Sequence, residues 1–180
     1  MKLAIISDIH GSITALEQVL SRLDAWQPDH YLLLGDLLNH GPRNPVPEGY
    51  NPAAVAERLN ELAPYIMAVR GNCDSEVDQM LLAFPITAPY NQLLVDGRRW
   101  FMSHGHLYRP DEVQLPADSV FLSGHSHVPV LERQGDQILM NPGSICFPRG
   151  GLPASYGCYE AGVLSVNSCV DGRELLRLAL

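Results

Sequence analysis

The chain has 180 residues, of which 46% are hydrophobic and 18% are charged, and its formal net charge at pH 7 is −8. This length and composition suit one folded domain with a substantial core and exclude a disordered chain. The acidic balance argues against non-specific binding to nucleic acid or an anionic membrane, and no apolar run approaches the roughly 20 residues of a membrane span. We therefore expect a single domain over residues 1–180, with no stable nucleic-acid binding and no membrane association.

The first half of the chain alternates apolar strands with amphipathic helices. Residues 2–7 are nearly all apolar, as expected for a strand buried on both faces. The segment after Gly11 has apolar residues at helical spacing, and Thr14 with Glu17 would form a capping box at its start. The pattern continues with a strand at 30–34, a Pro/Gly/Asn-rich loop at 39–50, a helix capped by Asn51, a strand at 65–69 and a helix near 74–83. This order predicts a parallel sheet with right-handed crossovers.

The second half is predicted to consist mostly of antiparallel strands joined by tight turns. Asp96-Gly97 is a strong hairpin signal, and further turns are expected at residues 135–136 and 161–162. The predicted strands cover residues 93–95, 99–103, 119–123, 130–133, 137–141, 155–160 and 163–170. An α/β (α+β) fold, with two mixed sheets packed face to face and helices outside, would place both halves in one domain.

The N-terminus and the cysteines indicate a cytoplasmic protein. Asp8 and His10 interrupt the first apolar stretch too early for a signal peptide. The four cysteines contain no C-x-x-C pair, and in a cytoplasmic chain of this size we expect free thiols.

Polar residues collect at the carboxyl ends of the predicted strands, the edge where α/β sheets build their sites. Each signal is weak alone, since two histidines such as those of Gly124-His125-Ser-His127 could simply be loop residues facing water. Together, however, five consecutive strand ends carry Asp, Asn or His. These residues are Asp8 and His10, Asp36, Asn72 and Asp74, His104, and His125 and His127.

The ligand chemistry of this set, without Asp74, selects a class of metal. Two aspartates, one asparagine and four histidines offer nitrogen and oxygen but no thiolate, which suits Mn, Fe, Ni, Zn or Co better than soft metals or Ca. Seven ligands are too many for one tetrahedral ion. They fit two ions that share a bridging carboxylate and lie roughly 3.5–4 Å apart.

The order of these motifs resembles the calcineurin-like metallophosphoesterase superfamily. The matching blocks are Asp8-x-His10, Gly35-Asp36, Gly71-Asn72-x-Asp74, His104 and Gly124-His125-x-His127. Asn141-Pro-Gly-Ser144 and Pro148-Arg149 make the chain similar to the small bacterial YfcE-type phosphodiesterases within that superfamily. The resemblance implies a four-layer αββα sandwich of two mixed β-sheets flanked by helices.

The resemblance also implies a role for each ligand in a phosphodiesterase with two divalent ions. Asp8, His10 and His127 would bind the first ion, Asn72, His104 and His125 the second, and Asp36 would bridge them. Manganese is the first expectation for both ions, with nickel, iron, zinc and cobalt as alternatives. A hydroxide held between the ions would attack the phosphorus of a small-molecule or nucleotide-like diester.

Cys73 departs from the pattern of the superfamily. Many members have at this position a histidine that protonates the leaving group and pairs with the following Asp, here Asp74. A thiol with a pKa of about 8.5 is a poor acid for an alkoxide, so aryl diesters are the expected best substrates. The predicted catalytic residues are Asp36, Asn72, Cys73 and Asp74, although Cys73 could instead be a small apolar filler.

Two other functions are open at this point. A phosphomonoesterase or nucleotidase would use the same ligands, and Cys73 argues against it only moderately. A protein-binding scaffold, as in the retromer coat, would be expected to have substituted ligands, whereas all seven positions hold competent residues. The sequence leaves open the roles of His106, Arg149 and the 39–50 loop, and exposed edge strands could pair with another subunit to form a homo-oligomer.

Overall fold

Eleven strands form two mixed β-sheets in the computed structural model, which describes all residues from 1 to 180. In chain order the elements are β1 (Lys2–Ile6), α1 (Ile13–Asp24), β2 (His30–Leu33), α2 (Pro52–Glu61), β3 (Ile66–Ala68), α3 (Glu76–Leu81), β4 (Tyr90–Val95), β5 (Arg98–Ser103), β6 (Ser119–Leu122), β7 (Val130–Gln134), β8 (Gln137–Asn141), β9 (Ser155–Glu160), β10 (Val163–Ser168) and β11 (Glu174–Ala179). None of the helices has the length and apolar character needed to cross a membrane.

The first sheet has the strand order β11-β10-β9-β1-β2-β3. β1, β2 and β3 are parallel, as predicted, whereas β9, β10 and β11 pair in antiparallel fashion. The sequence pattern did not indicate β11, whose charged residues Glu174 and Arg177 lower its resemblance to a buried strand.

The second sheet has the order β4-β5-β6-β8-β7. The predicted hairpins β4–β5 and β7–β8 are antiparallel, but β5, β6 and β8 run parallel at the centre of the sheet. The carboxyl ends of β5 and β6 therefore lie side by side, which local turn signals had not indicated.

β1 is buried on both faces, which explains its nearly continuous apolar sequence. Ala4 and Ile6 join the core beneath α1 and α2, whereas Leu3 and Ile5 join the core between the two sheets. Because successive strand side chains alternate in direction, one five-residue strand connects both cores.

The helices begin where short polar side chains cap them. Ser12 accepts a hydrogen bond from the amide of Ala15 and starts α1, so the capping box expected at Thr14 and Glu17 is wrong. Asn51 caps α2, with Pro52 as its first residue, as predicted.

The outer faces of the two sheets are covered in different ways. α1 and α2 pack on the first sheet, where their apolar faces join the larger core cluster. On the outer side of the second sheet, Phe101 and Phe121 instead stack against each other, and Tyr90 and Tyr108 pack against Phe101. The predicted fold of two mixed sheets flanked by helices is confirmed.

Candidate metal centre

The carboxyl ends of the central strands of both sheets meet at one edge of the sandwich. β1, β2 and β3 run parallel and are followed by the blocks containing Asp8, Asp36 and Asn72. β5 and β6 are also parallel and are followed by His104 and His125. Residues far apart in the chain therefore contact one another here.

Three of the predicted histidine ligands are oriented by backbone carbonyls. A carbonyl can only accept, so each Nδ1 carries the proton and the Nε2 of the neutral ring presents a lone pair to the centre. The three contacts are His10 Nδ1 with Asn39 O at 3.0 Å, His104 Nδ1 with Leu34 O at 2.7 Å and His127 Nδ1 with Phe147 O at 2.9 Å. This orientation is typical of histidines that bind metals.

Asp8, His10 and His127 form a buried group that fits a cation. The Nε2 atoms of His10 and His127 are 3.3 Å apart, and in neutral rings neither can donate to the other. Asp8 Oδ1 lies 3.1 Å from His127 Nε2 and 3.6 Å from His10 Nε2, yet it is buried without a hydrogen-bond partner. Only an added proton or a cation relieves this arrangement of lone pairs.

Asp36 lies between this group and a second one. Its Oδ2 is 3.7 Å from His10 Nε2 and 3.5 Å from His104 Nε2. Asn72 Oδ1 is 3.1 Å from His104 Nε2. The donor atoms of Asp8, Asp36 and His104 lie within 4.8 Å of one another, so a second ion could be held here by oxygen and nitrogen ligands.

The buried carboxylates and imidazoles at the site shift each other's pKa values toward the charged forms. Burial opposes ionisation of Asp8, but the neighbouring imidazoles of His10 and His127 lower its pKa. Burial likewise opposes ionisation of Asp36, whose pKa His104 lowers. Burial also disfavours a charged His104, yet Asp36 raises its pKa to about 9. A site with this negative potential binds protons tightly, and a divalent cation can replace them.

Residues 1–162 match the family model of the calcineurin-like phosphoesterase superfamily domain. The chain belongs to this superfamily. The phosphodiesterase YfcE of Escherichia coli K12 is 52% identical over 181 residues, which cover 100% of this chain and 98% of that protein. A probable metallophosphoesterase of Bacillus subtilis, YsnB, is 32% identical over 170 residues, covering 87% of this chain and 82% of that protein.

Solved structures show the same fold. The structure of YfcE, a phosphoesterase from E. coli, has a TM-score of 0.97 at 52% identity and covers 99% of both chains. Vacuolar protein sorting 29 from Cryptosporidium parvum, at 15% identity and a TM-score of 0.68, covers 99% of this chain and 98% of that one. The second likeness concerns the superfamily fold alone.

A cavity of about 220 Å³ lies above the buried ligands of this superfamily member, and the predicted site residues His125 and Cys73 are among the residues that line it. His125 is half-buried, with its ring centroid 5.1 Å from that of His104, and its ring lies farther from the carboxylates than those of the other three predicted histidine ligands. The backbone amide of Cys73 donates to Asp36 Oδ1 at 2.8 Å. Burial, with Asp36 nearby, raises the pKa of the Cys73 thiol to about 12.

Asp74 lies beneath the site and does not line the cavity. Its carboxylate accepts hydrogen bonds from the amides of Asp36, Leu37 and Gly71 at 2.9, 2.8 and 2.7 Å. The side chain therefore positions the loops of Asp36 and Asn72. The catalytic role that the sequence predicts for Asp74 beside Cys73 stays a prediction.

Several residues that support Asp8 were not predicted as site residues. The hydroxyl of Ser7 and the amide of His125 both donate to Asp8 Oδ2, at 2.6 and 3.1 Å. Ser144 Oγ donates to the carbonyl of Asp8, and Asn141 Nδ2 donates to that of Gly124. The segment Asn141-Pro-Gly-Ser144, interpreted from sequence as a turn, therefore also braces the site.

The backbone of the ligand loops is strained. Nine non-glycine residues of the chain have positive φ, and five of them are predicted ligands. Those five are Asp8 (57°), His10 (50°), Asp36 (56°), His125 (64°) and His127 (60°). Residues other than glycine adopt this region at a cost of about 1–3 kcal/mol each, and such residues cluster at functional sites.

Proposed function

We propose that this protein is a metal-dependent phosphodiesterase that hydrolyses small-molecule or nucleotide-like phosphodiesters. The observation that carries the proposal is the convergence of buried Nε2 and carboxylate atoms below one open cavity. The 52% identity with phosphodiesterase YfcE over the full chain supports the same activity.

The proposed centre holds two divalent ions, with manganese as the first choice. Asp8, His10 and His127 would bind one ion, Asn72, His104 and His125 the other, and Asp36 both. The distances of Asp36 Oδ2 to His10 and His104 support the shared role. When bound, the ions would supply Lewis acidity and activate water near neutral pH.

The residues of the cavity determine which diesters react best. Asn72 offers a neutral carbonyl ligand, which leaves the centre more cationic than a third carboxylate would. Cys73 faces the cavity, but a thiol with a pKa of about 12 stays protonated and is a weak acid for a departing alkoxide. Aryl esters, whose leaving groups need no proton, should therefore react faster than alkyl esters.

Other properties remain proposals of the same kind. We infer one domain over residues 1–180, because the core between the sheets includes residues from both halves of the chain. A cytoplasmic location and the lack of stable nucleic-acid binding stay predictions. Pairing of edge strands such as β4 or β7 with a second subunit also stays a prediction.

An ester-by-metal screen tests the function. Metal-free protein is loaded separately with Mn, Ni, Fe, Zn or Co and assayed with bis(4-nitrophenyl) phosphate, 4-nitrophenyl phosphate and an alkyl phosphomonoester. We expect the highest kcat/KM for the aryl diester with manganese and none with excess chelator. Higher kcat/KM for the monoesters would favour the phosphomonoesterase alternative, and no diester cleavage with any metal would refute the proposal.

A further inference from the structure

Two arginines at the rim of the cavity have no partner in the protein. Of the eleven arginines of the chain, seven pair with a carboxylate and Arg22 donates to a backbone carbonyl. The remaining three are Arg43, Arg99 and Arg149, and two of them, Arg43 and Arg149, line the cavity above the ligands. Although the chain has 20 acidic residues, neither of these guanidinium groups pairs with one, and both lie at the same cavity.

The segments that carry these arginines are tied to the ligand histidines. Asn39, four residues before Arg43, holds the ring of His10 through its carbonyl. Phe147, two residues before Arg149, holds the ring of His127 in the same way, and the amide of Arg149 donates to the carbonyl of His127 at 3.1 Å. Both arginines therefore stand on the side of the cavity next to Asp8, His10 and His127.

The first of these segments is itself ordered by hydrogen bonds. The amide of Gly41 donates to Asn39 Oδ1 and the side chain of Asn44 donates to the carbonyl of His40, both at 2.8 Å. Gly41 has a φ of 76° and packs so close to Cys73 Sγ that a Cβ would lie 2.7 Å from the sulfur. The loop therefore holds Arg43 beside the cavity.

The charge of the proposed centre does not require these arginines. Two divalent ions with two aspartates have a formal charge of +2, which already exceeds the single negative charge of a diester. Guanidinium groups bind phosphate oxygens in paired, charge-assisted hydrogen bonds. Two such groups outside the metal centre would suit a second anionic group of the substrate, separate from the scissile phosphate.

We infer that Arg43 and Arg149 form a subsite for a second anionic group, a phosphate, on one ester arm of the substrate. This inference rests on the proposed phosphodiesterase function and deepens it by naming the substrate class. The substrate would be a phosphodiester that carries an additional phosphate, as a phosphorylated nucleotide-like diester does.

Two chromogenic substrates that differ by one phosphate test the subsite. They are thymidine 5′-(4-nitrophenyl phosphate) and the same compound phosphorylated at the 3′ oxygen. With manganese-loaded wild-type protein, we expect kcat/KM to be about tenfold higher for the phosphorylated compound. In the double variant Arg43→Gln/Arg149→Gln this ratio should fall to about 1. Arg99→Gln, which removes an equally unpaired arginine away from the cavity, should keep the wild-type ratio.

A binding measurement gives a readout that does not depend on turnover. By calorimetry, the wild type should bind thymidine 3′,5′-bisphosphate about tenfold more tightly than thymidine 5′-monophosphate, and the double variant should bind both equally. An unchanged ratio in the double variant, or equal losses on both substrates, would overturn the subsite and leave the phosphodiesterase function intact. If neither substrate is cleaved, the proposed function fails, and the binding comparison still decides whether the arginines hold a second phosphate.

Discussion

Asp36 is held at this centre through both of its carboxylate oxygens and through its backbone. Its Oδ2 faces His10 and His104, while its Oδ1 accepts from the amide of Cys73. Its backbone has a φ of 56°, and its own amide is held by Asp74. A carboxylate held in this way has little freedom to move, which suits a ligand shared by two ions.

Replacing Asp36 with Asn should cost more activity than replacing any other ligand. The neutral amide binds divalent ions more weakly and would face both proposed sites, so we expect kcat/KM to fall by at least about 100-fold. Steady-state kinetics and metal content measure the effect. Asp118→Asn is the matched control, since Asp118 also has positive φ but pairs with surface arginines. Near-normal activity of Asp36→Asn would refute the bridging assignment.

His125 and His127 are expected to serve different ions although only one residue separates them. His127 contacts Asp8 and His10, whereas the ring of His125 packs against that of His104. His125→Ala and His127→Ala should each lose one ion, and not the same one. Anomalous scattering from manganese-soaked crystals measures which ion is lost, with His30→Ala as the control. Loss of the same ion in both variants would contradict the assignment.

At the scale of elements, the site depends on loops that follow parallel strands and on a buried carboxylate that joins two of them. Asp74 accepts three backbone hydrogen bonds from the loops after β2 and β3. Gly71 lies against Asp36 so closely that a Cβ would overlap it. The short α3 begins directly afterwards, with Ser75 and Asp78 in a capping box. Thus α3 begins directly after Asp74, whose hydrogen bonds clamp the two ligand loops together.

Asp74→Asn should destabilise the protein through this clamp. An amide offers one acceptor and presents an NH₂ group to the backbone donors, so we expect the free energy of unfolding to fall by about 2–4 kcal/mol. Urea denaturation measures it. Asp78→Asn is the control, because it weakens only the capping box of α3, at a cost of about 1 kcal/mol. If Asp74→Asn lowers the free energy of unfolding by no more than this control does, the hydrogen bonds of Asp74 contribute little to stability.

At the scale of the whole molecule, the proposed centre joins the two sheets. The loops after β1, β2 and β3 of the first sheet and after β5 and β6 of the second all carry proposed ligands. Bound ions would therefore link the sheets, in addition to the apolar core between them. In the metal-free centre the Nε2 lone pairs of His10 and His127 face each other and Asp8 Oδ1 has no partner, so this state is less favourable than the metal-bound one.

Metal binding should stabilise the whole fold. At manganese concentrations near 100 times Kd the stabilisation is about 2.7 kcal/mol, which raises Tm by about 5–10 °C for a chain of this size. Differential scanning calorimetry with manganese and with excess chelator measures the shift. The same comparison on Asp36→Asn should give a much smaller shift, and an unchanged Tm in the wild type would contradict metal binding at this centre.

The local sequence determined much of this protein because periodicity, caps and turns act over a few residues. The apolar spacing predicted α1, Asn51 marked the start of α2, and the β-α-β-α-β order predicted the parallel strands of the first sheet. The residue types at the strand ends indicated the proposed ligands, which stay a prediction. Each of these inferences depends on neighbours in the chain.

Contacts between groups that are distant in the chain follow from the three-dimensional fold. It placed β5, β6 and β8 in parallel, placed Asp74 beneath the site, brought Asn141 and Ser144 against the ligand loops, and placed Arg43 and Arg149 at the same cavity. The physical reason is that hydrogen bonds and packing between residues many positions apart depend on strand pairing, which short-range patterns do not encode.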